Sequence, residues 1–483
     1  MVPRRAPSVL ASARSRLRSG ESAVPPPRTD AFSLATVALA ATLPVVFLHV
    51  EHQPGFDVAV GSTSVHLALS DLAVLATGAL AALVWLRRRT APLRPAVGVA
   101  LAAALFLGWI VASCFYPLLG SDPYTWRTHL VSAGKFAEYA LIAWALFVCV
   151  RRRFDLDLVA AAIALWSAVA SLVGILQMVG VDIASAWPAG RRQPSFLGHH
   201  DFAALSGAAA SLAIVAIAVP AARVDRRLAA LGGVSGVAGL IVSGSSAGAI
   251  GFALAAVAAS VVARFSWRRV AAILAIAAVA GGGVVLLRGG DIASFLHFLG
   301  VGKQEQTGNV ETYTQRTVLV YIGWRIFLDH PAVGAGWDGS AEQWAYGPHL
   351  ADAHREFPGA PDLSFPSPEH PWGVQNAYVQ ALSDLGVVGT ILFLGLLALC
   401  LVVTGRLALR GPPEEALVPL LAAAWLLVTM GVLSATGFVA GIPTDGLLWL
   451  AIGLTATAAV GLRRPAADPQ PERTPARIAS SLA

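Results

Sequence analysis

Four arginines carry the plainest chemistry in this sequence. Arg191 and Arg192 are adjacent, and Arg316 and Arg325 lie further along the chain. A guanidinium fork grips the oxygens of a phosphate two at a time. On a helix Arg325 falls on the side opposite Arg316, where pairing with Asp329 at i+4 is an alternative role. Lys135 and Glu138 sit at i, i+3, spaced to pair on one helical face, as part of a site or as a structural ion pair. Asn376, Gln380, Ser383 and Asp384 recur at helical spacing and form one polar stripe. Histidine is the side chain best poised to act as a base near neutrality, and His349, His354 and His370 are candidates. His199-His200-Asp201 has metal-ligand chemistry, but adjacent side chains diverge and no further ligand is spaced to complete a set, so no metal is expected. Gly334 to Gly339 satisfies G-x-G-x-x-G but follows a helical pattern instead of a strand, and reads as a tight turn.

These residues are set in an unusual background. Of 483 residues, 56% are hydrophobic and 13% charged, and the mean hydropathy is +0.67. Soluble domains carry about 25% charge, so soluble, disordered and disulfide-scaffold readings fail and a polytopic membrane protein remains. Cys114, Cys149 and Cys400 lie inside apolar runs and read as small buried hydrophobes. About twenty apolar residues cross a bilayer. By that measure twelve segments qualify, at approximately 32–50, 65–86, 96–118, 131–150, 158–180, 202–220, 228–243, 246–263, 269–287, 376–404, 416–435 and 441–462.

The expected organisation is all-α. A basic tail (1–31) leads into nine spans (32–287), then a large loop domain (288–375), three further spans (376–462) and a short tail (463–483). Both tails are expected to be unstructured, and the first span reads as a retained anchor instead of a cleaved signal. Twenty-five of the 34 basic residues fall in the tails and alternate loops, which makes that face cytoplasmic and places both termini there. The net charge of +6 is therefore a topology signal, and no nucleic-acid partner is expected. All eleven histidines fall on the other face. The loop 288–375 is then external; in it Thr312 and Gln315 form a capping box, and the helix that follows should stop before Pro331.

Depth separates two functional classes. Measured from the nearest cytoplasmic arginine at 1.5 Å per residue, Asp71 and Lys135 lie about 24 Å away, Glu138 about 20 Å and Asp445 about 27 Å. All fall in the outer part of a core about 30 Å thick. A transporter places polar ligands near the midplane; here they gather at the external boundary, which suits surface chemistry on a lipid-linked substrate.

Four stretches resemble the O-antigen ligase and polymerase superfamily of bacterial membrane glycosyltransferases. They are GRRQPSFLGHHDFAAL (190–205), SGSSAGAIGFALA (243–255), QRTVLVYIGWRIFLDHPAVGAG (315–336) and VQNAYVQALSDLGVVGTILF (374–393). They match, in order, an Arg-containing turn entering a span, a Ser-Arg-Gly span, an Arg-led helix closed by Pro-x-x-Gly-x-Gly, and an Asn-x-Tyr helix with Gly-x-x-Gly. Two departures stand out: the arginine of Ser-Arg-Gly is Ala247, and the histidine usual before the asparagine is Gln375.

The resemblance implies a multi-pass enzyme of the bacterial plasma membrane. It would transfer a glycan from a polyprenyl-pyrophosphate donor to a hydroxyl of a glycan, glycolipid or protein acceptor at the external face, with no nucleotide, metal or other cofactor. Arg191, Arg192, Arg316 and Arg325 would hold the pyrophosphate, and Lys135, Glu138, Asn376, Gln380 and Asp384 would support the site. His370, close to the departed family histidine and restrained by Pro371, is the expected base; a solvated loop histidine is its bland alternative. The alternatives to a ligase are a polymerase of lipid-linked repeats and a transporter of a small anion or lipid-linked saccharide.

Overall fold

The computed structural model describes residues 31–60, 63–88, 94–119, 124–184, 186–222, 224–291, 311–438 and 441–462. The expected unstructured tails (1–31 and 463–483) lie outside the described residues except for Ala31, which is helical, and so do His297, Lys303 and the side chain of Thr312.

The chain is mostly helical, and its helices stand where the apolar runs require them. Eight are long and apolar enough to cross a membrane: α2 (Leu69–Arg88), α4 (Trp126–Cys149), α5 (Arg153–Met178), α6 (His199–Ala218), α7 (Arg226–Ser243), α9 (Trp267–Leu287), α11 (Ala377–Arg410) and α13 (Pro443–Val460). Four shorter apolar helices complete the set: α1 (Ala31–Val46), α3 (Val97–Ser113), α8 (Ser246–Val262) and α12 (Leu417–Leu433). At 1.5 Å per residue, seventeen residues reach about 26 Å, short of a full hydrocarbon core. A polytopic helical membrane protein accounts for this pattern. Helix α10 (Glu311–Asp329) is less apolar than the spans, and with two short helices, Gln343–Tyr346 and Leu350–Glu356, it builds a cap over one end of the bundle. The cap has its own small core of Val318, Ile322, Ile326, Tyr346 and Phe365.

One element departs from the all-α expectation. Residues Gly55–Val60 and Thr63–Ala68 pair as an antiparallel hairpin, β1 and β2, with Val58 opposite Val65. The expected span at 65–86 therefore begins only at Leu69. The reason is local: the Asp71 carboxylate turns back to accept the Ala68 backbone N–H at 2.8 Å, ending the strand and starting the helix.

In a bilayer, small residues let helices approach closely, and the glycines of α7 and α8 do this chiefly against α6 and α12. A Cβ on Gly232 would meet the Ala209 carbonyl of α6 at 2.7 Å, and one on Gly251 the Val428 carbonyl of α12 at 2.7 Å. Helix α6 is in consequence buried on nearly every face. The three cysteines are free and buried. At the arginine-rich end, Arg153 of α5, Leu407 at the end of α11 and Leu462 after α13 surround one cavity. The residues singled out for chemistry gather at the opposite end.

Helix α11 is interrupted where the site begins. Gly386 has φ +65° in an otherwise helical run, and the segment Pro331–Gly336 docks against the break. Ala335 and Gly336 donate their N–H groups to the Ser383 and Asp384 carbonyls (2.8 and 2.9 Å), and Val387 donates to the Pro331 carbonyl at 2.9 Å. Trp109 Nε1 of α3 closes the remaining gap on the Leu385 carbonyl at 3.1 Å. A broken helix inside a membrane protein must have its freed backbone groups satisfied by other protein groups. Here the Pro-x-x-Gly-x-Gly turn and the Gly-x-x-Gly helix satisfy one another.

Candidate functional site

A cavity of about 680 Å³ opens between α4, the start of α6, α10, the turn after it and the start of α11. Lys135, His200, Arg316, Asp338, Gln375 and Gln380 line it. Sequence positions separated by some 245 residues are thus brought to one space.

Beside this cavity three arginines converge. Arg192 sits on the loop between α5 and α6, a segment held by two buried glutamines. Gln193 bonds the backbone of Trp187, Pro188 and Arg191, and Gln177 accepts the Ser195 N–H at 2.9 Å while donating to the Ile183 and Ser195 carbonyls. The Arg192 guanidinium lies 4.8 Å over the Trp187 ring. Arg288 leaves the end of α9, donates to the Gly244 carbonyl at 3.2 Å, pairs with Asp291 at 3.0 Å and stacks 4.7 Å over Tyr313. Gly244, at φ +60°, is where the two arginine stems cross: a Cβ there would stand 2.7 Å from that of Arg192 and 3.3 Å from Cδ of Arg288. Arg316, on the first turns of α10, donates Nη2 to Nε2 of His200 at 2.6 Å.

Arginine has no acceptor, so His200 must present a lone pair at Nε2 and carry its proton on Nδ1, which faces Ser245 Oγ at 3.5 Å. A neutral histidine thereby orients the guanidinium without adding charge. Burial first, then the positive charges of Arg288 and Arg316, push the Arg192 pKa down to about 10. Burial, reinforced by Arg288 against an opposing contribution from Tyr313, does the same to Arg316, again to about 10. Both remain cationic at neutral pH. Asp291 is the one carboxylate paired with the three among the described residues, and Arg316 Nε is buried with no hydrogen-bond partner. The cluster is short of negative charge, as a site for a phosphate-bearing ligand would be.

The other expected site residues are placed as follows. Arg191 is exposed on the loop. Arg325 pairs with Asp352 at 3.4 Å in the cap, neither near the cluster nor with Asp329. Lys135 pairs with Asp71 at 2.9 Å, not with Glu138, one of whose carboxylate oxygens is buried without a partner. Asn376 caps α11, accepting the Tyr378 and Val379 N–H groups (3.1 and 3.2 Å). Gln380 holds the Phe438 N–H at 2.6 Å, and Asp384 holds the Ser340 N–H at 2.9 Å. His370 is exposed, stacks on Trp372 with ring centres 5.6 Å apart, and is not among the cavity-lining residues. His349 pairs with Asp329 at 3.1 Å, and His354 stacks on Phe365. In the His199-His200-Asp201 run the side chains diverge, to Trp187, Arg316 and Thr444 respectively.

Residues 228–394 match the family model described as O-antigen ligase. The chain carries an O-antigen ligase superfamily domain. The match takes in Arg288, Arg316 and the docked break in α11, and it supports a membrane glycosyltransferase of the ligase and polymerase family. No curated protein matches the chain.

Within the O-antigen ligase domain, Arg288 was not singled out from sequence, although it is the arginine that ends the ninth apolar run. Its guanidinium reaches the carbonyl immediately before Ser245 and so brings positive charge to the Ser-Arg-Gly stretch whose own arginine is Ala247. The buried glutamines Gln177 and Gln193 were also passed over, since nothing in their spacing distinguishes them from polar loop residues. Asp338, inside the G-x-G-x-x-G turn, lines the cavity as well.

Proposed function

We propose that this chain is an O-antigen ligase-like glycosyltransferase that moves a glycan from a polyprenyl-pyrophosphate carrier to an acceptor hydroxyl at the external face of the bacterial plasma membrane. The observation that carries the reading is the convergence of Arg192, Arg288 and Arg316 beside one cavity with a single paired carboxylate among them. The orientation rests on the 25 of 34 basic residues in the tails and alternate loops, which leaves the arginine cluster on the outer side.

In this reading the arginines receive the pyrophosphate. As the bond from the anomeric carbon to the phosphate oxygen breaks, that oxygen gains charge, and three preorganised guanidinia stabilise it where it develops. The acceptor attacks from the opposite side and inverts the anomeric configuration. Helix α10 carries Arg316 and the docked turn carries the cavity wall, so the α11 break ties donor and acceptor sides into one rigid unit.

Lipid and polysaccharide analysis of a deletion strain tests this. Accumulated full-length glycan still on its lipid carrier is the expected result, short accumulated repeats would make the enzyme a polymerase, and an unchanged glycan profile would refute both.

A further inference from the structure

We propose that Asp338 is the general base that takes the proton from the acceptor hydroxyl. The inference rests on the glycosyl-transfer reading above and adds to it the residue on the acceptor side.

The argument begins with what the cavity offers. Four ionisable side chains line it among the described residues: Lys135, His200, Arg316 and Asp338. Lys135 is held by Asp71 at 2.9 Å. The Nε2 lone pair of His200 is taken by Arg316 at 2.6 Å. Arg316 has no acceptor, and Gln375, also on the wall, is not a base. Asp338 is what remains, and its carboxylate is built for the task. Oδ2 accepts from Ser132 Oγ at 2.6 Å, Ser132 is itself fixed by Trp337 Nε1 at 3.0 Å, and Oδ1 faces Gln380 Nε2 at 3.4 Å. Each oxygen keeps a lone pair for a further proton.

The backbone fixes where the carboxylate points. Asp338 has φ +57° and ψ +13°, the left-handed region. Glycine holds this position without strain, and aspartate and asparagine are among the few other residues that adopt it. Here an aspartate occupies it inside a run of glycines, Gly334, Gly336 and Gly339. Burial raises the pKa of Asp338 above the ordinary carboxylate range, against the Ser132 hydrogen bond and the His129 charge, which moves it toward the value useful to a base near neutrality. The titratable and charged groups around it are His129, Cys114, Tyr124, Asp384 and Asp445, with Lys135, His200 and Arg316 on the same cavity wall.

The step balances. The acceptor O–H proton passes to the Asp338 carboxylate, and the freed oxygen pair forms the new bond to the anomeric carbon. The bond from that carbon to the phosphate oxygen breaks with its electron pair on the oxygen, and polyprenyl pyrophosphate leaves against the arginines. Asp338 then returns its proton to water.

The test uses the full chain in vesicles with a polyprenyl-pyrophosphate-linked glycan and a hydroxyl acceptor, comparing wild type, Asp338→Asn, Asp338→Gly and Arg316→Ala. Asparagine and glycine both accept the left-handed conformation, so a turn-forming role survives in both. The base role predicts that both bind the donor as wild type does yet lose about 10²–10⁴-fold in transfer rate. The wild-type rate should also fall as acid protonates the carboxylate. Transfer by either variant within about threefold of wild type, or a wild-type rate flat through the acid range, overturns the assignment. Normal transfer by Arg316→Ala with inactive Asp338 variants would instead count against the pyrophosphate site and leave Asp338 as base. A wild-type chain that forms no glycosidic bond overturns both.

Discussion

Replacing Gly386 by alanine should loosen the site without touching any residue that lines it. The added Cβ would lie 2.5 Å from the Ala332 carbonyl and the Val333 nitrogen, closer than any relaxed contact, and both are backbone atoms that cannot swing aside. The φ of +65° adds a second penalty. The left-handed conformation costs a residue with a Cβ about 1–2 kcal/mol, and overpacking a fixed interior costs about 1–3 kcal/mol. Together they predict a loss of about 2–5 kcal/mol, with the Ala335 and Gly336 hydrogen bonds to the α11 break the first to go. Gly395, further along α11, has nothing within 4 Å of its Cβ position, so Gly395→Ala is the matched control and should be neutral or stabilising by about 1 kcal/mol. Thermal unfolding of the purified protein in detergent reads the difference. If Gly386→Ala melts with wild type, the docked-break account of the two glycine motifs is wrong.

Other consequences follow from the same geometry. Arg288→Ala should raise the donor KM and reduce transfer by roughly tenfold to a hundredfold, the loss of a charged hydrogen bond worth about 1.5–3 kcal/mol; an unchanged KM would remove Arg288 from the anion site. His370→Ala, at an exposed ring outside the cavity, should transfer within about twofold of wild type, and a kinetic collapse would restore His370 as a base. Glu342 contributes to the pH dependence of the cap. Burial alone would raise its pKa, but hydrogen bonds from His129 at 2.7 Å and Thr125 at 2.6 Å lower it on balance. A depressed folded pKa stabilises above the unfolded value, near 4.3 for glutamate, and that contribution fades as pH falls through the folded value. The melting-temperature advantage of wild type over Glu342→Gln should therefore shrink on acidification below about pH 4, and an advantage that stays constant would contradict the pairing.

Apolar runs fix where helices can lie, so the eight helices long and apolar enough to cross a membrane were legible from hydropathy. The helix that stops at Asp329, before Pro331, was equally legible from the proline. The hairpin at 55–68 was not, because six-residue strands beside an apolar helix leave no separate hydropathy signal. Arg316 was legible as a cation at the head of a helix that caps the bundle. Its partner His200 was visible only as half of a histidine pair, since their contact joins positions 116 residues apart. Lys135 was read with Glu138 because periodicity sees only its own helix, whereas the partner is Asp71 on a neighbouring one. The same limit hid Arg288, whose contact with Gly244 arises from the fold and not from spacing. Asp338 was concealed by the glycines around it, which identify a turn but say nothing of the side chain the turn presents.

The central claim is that the arginine cluster holds a pyrophosphate while a glycosidic bond is made. Purified protein in vesicles, given a polyprenyl-pyrophosphate-linked glycan and a hydroxyl acceptor, tests it by mass spectrometry of the acceptor and of the released lipid. The account predicts glycosylated acceptor and free polyprenyl pyrophosphate in equal amounts from wild type, and neither from Arg316→Ala. Movement of the lipid-linked glycan across the bilayer with no new bond, or full transfer by Arg316→Ala, would contradict it.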